Sequence, residues 1–425
     1  MAVDDVFTRY DVTLQPDPAR TVLRPFMPSD PAPFERLPLR QHRLVRAILA
    51  LDDERITLAC DAIVGMLQGR HRDVEAYLDH RFAELQRTFG LPDVSGRRAT
   101  LIAAYFTQEY AFQSAALFNP TCVVATDQSN LPEGATRLVF ALRGIGEGHV
   151  SSVTFRSGIW KPGSMLEIDV VSSRSTQARV ADVDGETVRF LWPEFENISE
   201  AVIFPVTPSQ RQGIEDLRLT RFFDEDGSEA LYGTYTAFSG SEARSEMVYS
   251  RDRRQFELRP LAGIFALNKG MALFPRRVGG RYMMLGRADN ESIWLLRSDE
   301  VYRWDEGQRL VSPRFDWELV QMGNCGSPIE IEEGWLVLTH GVGALRSYSI
   351  GAILLDKDDP ARVLARTPKP LITPRPEQRH GYVPNVVYSC GGVIIDRTLL
   401  LPYAVADQYT AFASAPVEAI LERMR

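Results

Sequence analysis

Five stretches of this chain repeat one form, and that repetition constrains the fold more than any other feature. TRLVFALRGIGEGHVSSVTF, from Thr136, is an apolar strand, a short polar break and a second strand. ALYGTYTAFSGSEARSEMVYS (from Ala230), RYMMLGRADNESIWLLRS (from Arg281), WLVLTHGVGALRSYSIGAILL (from Trp335) and LLLPYAVADQYTAFASA (from Leu399) follow the same form. Gly, Asp and Asn turns separate the strands after Asn119 and Pro120, the texture of an all-β domain. Radial repetition of small antiparallel sheets protects their strand edges, so five copies predict an all-β, five-bladed β-propeller. A β-sandwich is the competing architecture, and it does not predict this regularity.

The chain before residue 117 reads differently. Residues 1–35 are rich in Pro and Asp and look extended. Leu44, Ile48 and Leu51 then fall at helical spacing, as do Ile56, Cys60, Ile63 and Leu67, and again Val74, Leu78, Phe82, Leu85 and Phe89. Gly69 and the Gly90–Pro92 stretch stop these runs. A fourth helix is predicted from about Arg97 to Ala116. The expected division is therefore 1–116 for an extended arm plus an N-terminal α-helical extension, and 117–425 for the propeller. A plain bundle, a lid and a dimerisation arm are the readings of the extension, and the last predicts a homo-oligomer through these helices.

Composition narrows the function. Of 425 residues 44% are hydrophobic and 24% charged, enough for a sizeable core. The net charge of -8 argues against a general nucleic-acid binder but leaves room for a small anion in one pocket. No run approaches the length of an apolar membrane span. Cys60, Cys122, Cys325 and Cys390 show no CxxC spacing, so free buried thiols are expected rather than a disulfide framework or a zinc site. The acidic start MAVDDVFTRYD lacks the apolar core of a secretory signal, and a cytoplasmic protein with no metal or cofactor is the expectation.

In a propeller the inner strand of each blade runs along the central channel. The matched strand ends here are Arg143, Thr236, Arg287, His340 and Ala404, with Tyr403 adjacent. Two arginines and a histidine at equivalent ends predict a polar, positively biased pocket. RQGIEDLRLT, Arg211 to Thr220, adds two adjacent acids, Glu215 and Asp216, beside Arg218.

Ten segments then stand in order: FNP (118–120), LRG (142–144), GIEDLR (213–218), TYTAFSG (234–240), NKGMALFP (268–275), YMMLGR (282–287), NCGSPIEIEEGWLVLTHGV (324–342), YSIGAILLDKDDPARVL (348–364), GYVPNVVYSCG (381–391) and PYAVAD (402–407). In this the chain resembles glycoside hydrolase family 130, the β-mannoside phosphorylases and β-mannosidases. The resemblance implies that Asp216 is the catalytic acid, passing its proton through the 3-hydroxyl of the bound mannose. Breaking a glycosidic bond requires protonating a poor leaving oxygen, and a carboxyl group in a partly dry pocket suits that task. Glu215 is expected to orient Asp216 or bind a sugar hydroxyl, and Arg218 to be a structural partner. Leu217 departs from the family, which usually has proline there. The resemblance places the sugar on Asn119, Arg143 and Asp407. Trp304 and Trp317 are candidates for stacking faces or for core packing, and His149 and His380 for the channel or for turns.

The nucleophile stays open at this level. Phosphorolysis needs one acid and a basic pocket; for inorganic phosphate as co-substrate the matched strand ends offer Arg287 and His340, and Arg244 stands near the arginine that the family resemblance implies. Gln321, where phosphorylases often carry lysine, and GNCGSP alter part of that region. Hydrolysis needs a second carboxylate about 6.5–9.5 Å from the acid, for which Glu147, Glu242 and Glu330 are candidates. The favoured expectation is inverting phosphorolysis of a β-mannoside oligosaccharide to mannose 1-phosphate. An inverting β-mannosidase and a non-catalytic carbohydrate-binding propeller are the alternatives.

Overall fold

The computed structural model describes residues 6–192, 197–252 and 254–425. The chain is mostly β-sheet with few helices. It divides into two compact units: Pro18–Phe112 with Ser172–Gln177, and Met1–Asp17, Gln113–Val171 and Ala178–Arg425.

The smaller unit holds four helices, α1 (Arg40–Leu49), α2 (Asp53–Gln68), α3 (Val74–Phe89) and α4 (Arg97–Tyr105). Asp52 caps α2 by accepting the Arg55 backbone N–H at 2.8 Å, and Gly90 ends α3 in the left-handed region at φ 58°. Ile56, Cys60, Leu78, Phe82 and Leu85 are buried together, as the helical spacing requires. The fourth helix is shorter than its expected range. Phe106 follows it, and Thr107–Ala111 forms a strand antiparallel to Thr21–Pro25. The β-branched and aromatic residues Thr107 and Tyr110 suit that strand, and Tyr110 is buried in it. Residues 8–14, expected only as extended chain, form a strand of the larger unit.

In the larger unit each repeated stretch is an antiparallel strand pair: Thr136–Ile145 with Ser151–Lys161, Glu229–Phe238 with Ala243–Ser250, Tyr282–Gly286 with Ile293–Ser298, Gly334–Val342 with Tyr348–Leu355, and Thr398–Val405 with Tyr409–Pro416. Five apolar clusters join these pairs in succession. Ala141 and Phe155 meet Tyr235 and Val248. Met247 meets Tyr282, Met284 and Leu296. Leu285 and Leu295 meet Trp335 and Ile353. Leu336 and Ile350 meet Leu401 and Ala413. The fifth returns to the start, with Leu400 and Phe412 against Phe140 and Trp160. The strand Thr8–Leu14 pairs with Tyr409–Pro416, so the first strand completes the last sheet. All four cysteines are buried and free. No helix among the described residues is long and apolar enough to cross a membrane.

Candidate active site

Two β-bulges build the site. The strand Ala116–Val124 pairs with Thr136–Ile145 until the register shifts between Phe118 and Thr121, where Asn119 sits at φ 47°. The strand Gly213–Phe223 pairs with Glu229–Phe238 until the register shifts between Glu215 and Arg218, where Asp216 sits at φ 55°. A bulge re-aims a side chain out of the pleat, and Asn and Asp tolerate the left-handed region better than other non-glycine residues. Both are thereby turned toward each other: Asn119 Nδ2 donates to Asp216 Oδ1 at 2.7 Å. Leu217 fills the core beside Tyr235 and Ala237, so the bulge persists without the family's proline.

Arg143 links the acids. Its Nη2 donates to Glu215 Oε1 at 2.7 Å, its Nη1 to Asp216 Oδ1 at 3.3 Å, and its Nε to Ser151 Oγ at 2.9 Å. Lys269 holds the other oxygen of Glu215 at 2.9 Å. Burial by itself would raise the Asp216 carboxyl, but Arg143, Arg218, the Asn119 hydrogen bond and Lys269 outweigh it and hold the group below its ordinary value. Asp407 behaves oppositely. It lies in a turn at φ 49°, and burial, then the charge of Asp216, push its carboxyl up to about 6 against Arg143 and Arg346. The proton affinities of these two carboxyls are thus driven in opposite directions.

A second group adjoins Asp216. Arg218 Nη2 donates to Tyr388 Oη at 2.6 Å, and the Tyr388 ring lies 4.9 Å from that of His340. His340 Nε2 faces Arg287 Nη1 at 3.4 Å. Burial, then Arg287 and Arg218, hold this imidazole well below its ordinary value, so it is neutral at pH 7. Glycine at 323 makes room for it, since a Cβ there would stand 2.5 Å from His340 Cε1. Gly270 shows how close the cations lie: a Cβ on it would be 3.7 Å from Arg218 Nη1 and 3.9 Å from Arg287 Cβ. The Nε atoms of Arg218 and Arg287 are buried with no hydrogen-bond partner.

The structure thus brings together Asn119, Arg143, Glu215 and Asp216, with Asp407, Arg287 and His340 within electrostatic reach. It does not bring Arg244 into contact with them. That guanidinium is held by Glu186 and Glu246, each at 2.8 Å. Lys269, Tyr388 and Arg346 were not singled out from the sequence. Lys269 and Tyr388 both lie in segments that carry the resemblance, but the Arg218–Tyr388 bond joins residues 170 positions apart.

The alternative bases differ in their surroundings. Glu147 and Glu242 are exposed in turns. Glu330 is gripped by Arg276 and Lys357 and borders a cavity of about 340 Å³ that Leu219, Arg221, Ser327 and Ile394 also line. Leu219 and Arg221 stand further along the strand that carries Asp216, so that cavity belongs to the far end. Trp304 is fully buried in the core, and Trp317 packs over Gly341 and Gly351, so neither offers a stacking face. His149 accepts from or donates to Tyr382 Oη at 2.5 Å on the surface, and His380 is exposed.

A family model for glycoside hydrolase family 130, described as β-1,4-mannooligosaccharide phosphorylase, matches residues 184–425. The chain is 31% identical over 218 residues to a 1,2-β-oligomannan phosphorylase of Thermoanaerobacter sp. (strain X514), covering 50% of this chain and 71% of the relative. It is 32% identical over 224 residues to a β-1,2-mannobiose phosphorylase of the same organism, covering 52% and 72%. The solved β-1,2-mannobiose phosphorylase of Listeria innocua shares the fold, with a TM-score of 0.54 and 21% identity over 73% of this chain and 92% of that one.

Proposed function

This chain belongs to glycoside hydrolase family 130, and from that premise we propose that it cleaves a β-mannosidic bond at the non-reducing end, with inversion, by phosphorolysis to mannose 1-phosphate. Asp216 is the acid, and Asn119, Arg143 and Asp407 hold the mannose, with the proton travelling through its 3-hydroxyl. The five strand pairs, joined in a ring by five apolar clusters, support a five-bladed propeller whose channel mouth carries these residues.

The observation that carries phosphate over water is the excess of positive charge, with Arg218 buried and the others partly so. Arg143, Arg218, Lys269 and Arg287 surround Glu215, Asp216 and an Asp407 whose carboxyl is pushed toward neutrality. Two of those guanidinium groups keep a buried Nε without a partner. An unpaired buried donor is costly, and a phosphate oxygen is the acceptor that would satisfy it through charge-assisted bonds. In this reading Arg287 and Lys269 hold the anion, Arg218 backs it, and neutral His340 orients Arg287. Arg244, tied to two glutamates, contributes less. Water would need a free carboxylate opposite Asp216, and Glu330 is committed at the far end.

A cytoplasmic setting fits four free buried thiols. The exposed Leu58 and Met66 of α2 offer the helical unit as a self-association surface. The test is incubation with β-1,2- and β-1,4-mannobiose with and without inorganic phosphate. Mannose 1-phosphate formed only with phosphate is the expected result. Free mannose released at a phosphate-independent rate would overturn it.

A further inference from the structure

After Arg143, two of the cations that would receive phosphate, Arg218 and Lys269, help to keep Asp216 ionised, and this creates a difficulty for the reaction. An acid catalyst must carry a proton when the glycosidic oxygen leaves. Asp216 accepts from Asn119 at 2.7 Å and Arg143 at 3.3 Å and lies within the field of Arg218 and Lys269. The only acceptor in that set is the Asn119 Oδ1, and it is the Asn119 N–H, not this oxygen, that faces Asp216. The remaining neighbours do not supply one either. His340 is neutral and faces Arg287, Tyr388 is engaged by Arg218, and Cys325 and Cys390 are buried thiols raised by burial. Glu215 is held by Arg143 and Lys269, and Asp407 is a second carboxyl whose own proton affinity the like charge of Asp216 raises.

A dianion beside Lys269, Gly270 and Arg287 would reverse the balance. It would add two negative charges close to Asp216 and offset the part of the field that Arg218 and Lys269 supply. We infer that the anion and the catalytic proton bind together: filling the site formed by Arg218, Lys269 and Arg287 with a dianion makes Asp216 take up one proton from solvent. This rests on the phosphorolytic reading and explains how the acid is armed only when the nucleophile is present.

The proton balance closes over a turnover. Hydrogenphosphate attacks the anomeric carbon through an unprotonated oxygen, and the bond to the leaving oxygen breaks. The Asp216 proton passes through the sugar 3-hydroxyl to that leaving oxygen, giving the acceptor sugar. The mannose 1-phosphate formed still carries the P–OH proton, which returns to Asp216 or to solvent as the product leaves. The net reaction consumes no proton, so the uptake on binding is matched by release later.

Sulfate is the probe, because it is a dianion throughout the range and carries no titrating proton of its own. Calorimetric titration of sulfate into the full chain at pH 7.5, in buffers of different ionisation enthalpy, reads the protons taken up. Wild type should take up about one proton per sulfate, as linkage requires of a group that changes from ionised to protonated. Asp216→Asn should still bind sulfate and take up almost none, and Asp407→Asn should keep the uptake. The sulfate Kd of wild type should also tighten as pH falls from 8 to 6, by up to about tenfold per unit. Binding without uptake, an unchanged uptake in Asp216→Asn, or a pH-independent wild-type Kd would overturn the linkage while leaving phosphorolysis standing. No sulfate binding, together with phosphate-independent mannose release, would remove both.

Discussion

Asp216→Asn keeps the shape of the side chain and its place in the bulge, but a carboxamide supplies no acidic proton. We expect folding like wild type and a kcat lowered by about 10²–10⁴-fold, read with mannobiose at saturating phosphate. A residual rate above about a tenth of wild type would remove Asp216 from the acid's role. For phosphate, Arg287→Ala should raise the KM at least about tenfold, the scale of a lost charged hydrogen bond, while Arg244→Ala should change it less than about threefold because its salt bridges are partly exposed. The reverse order would return the anion to Arg244. Asp407 gives a stability test. Its folded value, about 6, lies above the ordinary 3.8, so between those values the folded protein keeps a proton that the unfolded chain has lost. Stability therefore falls as pH rises through that window and stays lower above it. Asp407→Asn escapes this loss and should gain roughly 1–3 kcal/mol relative to wild type at pH 8, with no gain below pH 4, as urea midpoints would show. Asn119, Arg143, Glu215 and Asp216 were legible because each stands in a segment that carried the resemblance. The grip of Glu186 and Glu246 on Arg244 was not, since one partner lies 58 positions away across a hairpin.

At the scale of elements, periodicity was informative where a face is buried and silent where a partner decides. The helical spacing of α2 and α3 and the strand–break–strand form of the repeats both follow from one apolar face against a core. The end of α4 was not legible, because Thr107–Ala111 becomes a strand only by pairing with Thr21–Pro25. The two bulges at Asn119 and Asp216 were equally hidden: a register shift leaves no periodic trace in one strand. The strand Gln321–Asn324 shows how an unremarkable glycine serves the site. Gly323 pairs with His340, and its missing Cβ leaves space for the imidazole. Gly323→Ala would push His340 toward Arg287 and Tyr388. Overpacking of this kind costs about 1–3 kcal/mol. We expect a lower unfolding midpoint and a raised KM for phosphate, with mannoside binding little changed. An alanine variant with unaltered phosphate kinetics would show that His340 does not orient Arg287.

At the scale of the whole molecule, the larger unit is assembled from both ends of the chain. Thr8–Leu14 is the outer strand of the sheet that Thr398–Val405 and Tyr409–Pro416 complete. Tyr10 fastens it twice: its Oη receives the Trp160 Nε1–H at 2.7 Å and lies 3.1 Å from Ser414 Oγ. Trp160 is fully buried in the cluster that joins the last strand pair to the first. Removing residues 1–14 would expose the backbone edge of Tyr409–Pro416 and leave the Trp160 N–H without its acceptor. An unpaired edge invites association, and an unsatisfied buried donor costs about 1–3 kcal/mol. The truncated protein should melt at least about 5 °C lower and aggregate on heating, although every proposed catalytic residue is retained. Tyr10→Phe separates the two effects: it keeps the strand and its apolar ring but removes the acceptor, so it should lose less than the truncation. The measurement is thermal unfolding followed by intrinsic fluorescence and light scattering. If the truncation melts like wild type, the last sheet does not need its outer strand, and the apolar clusters hold the larger unit together without help from residues 8–14.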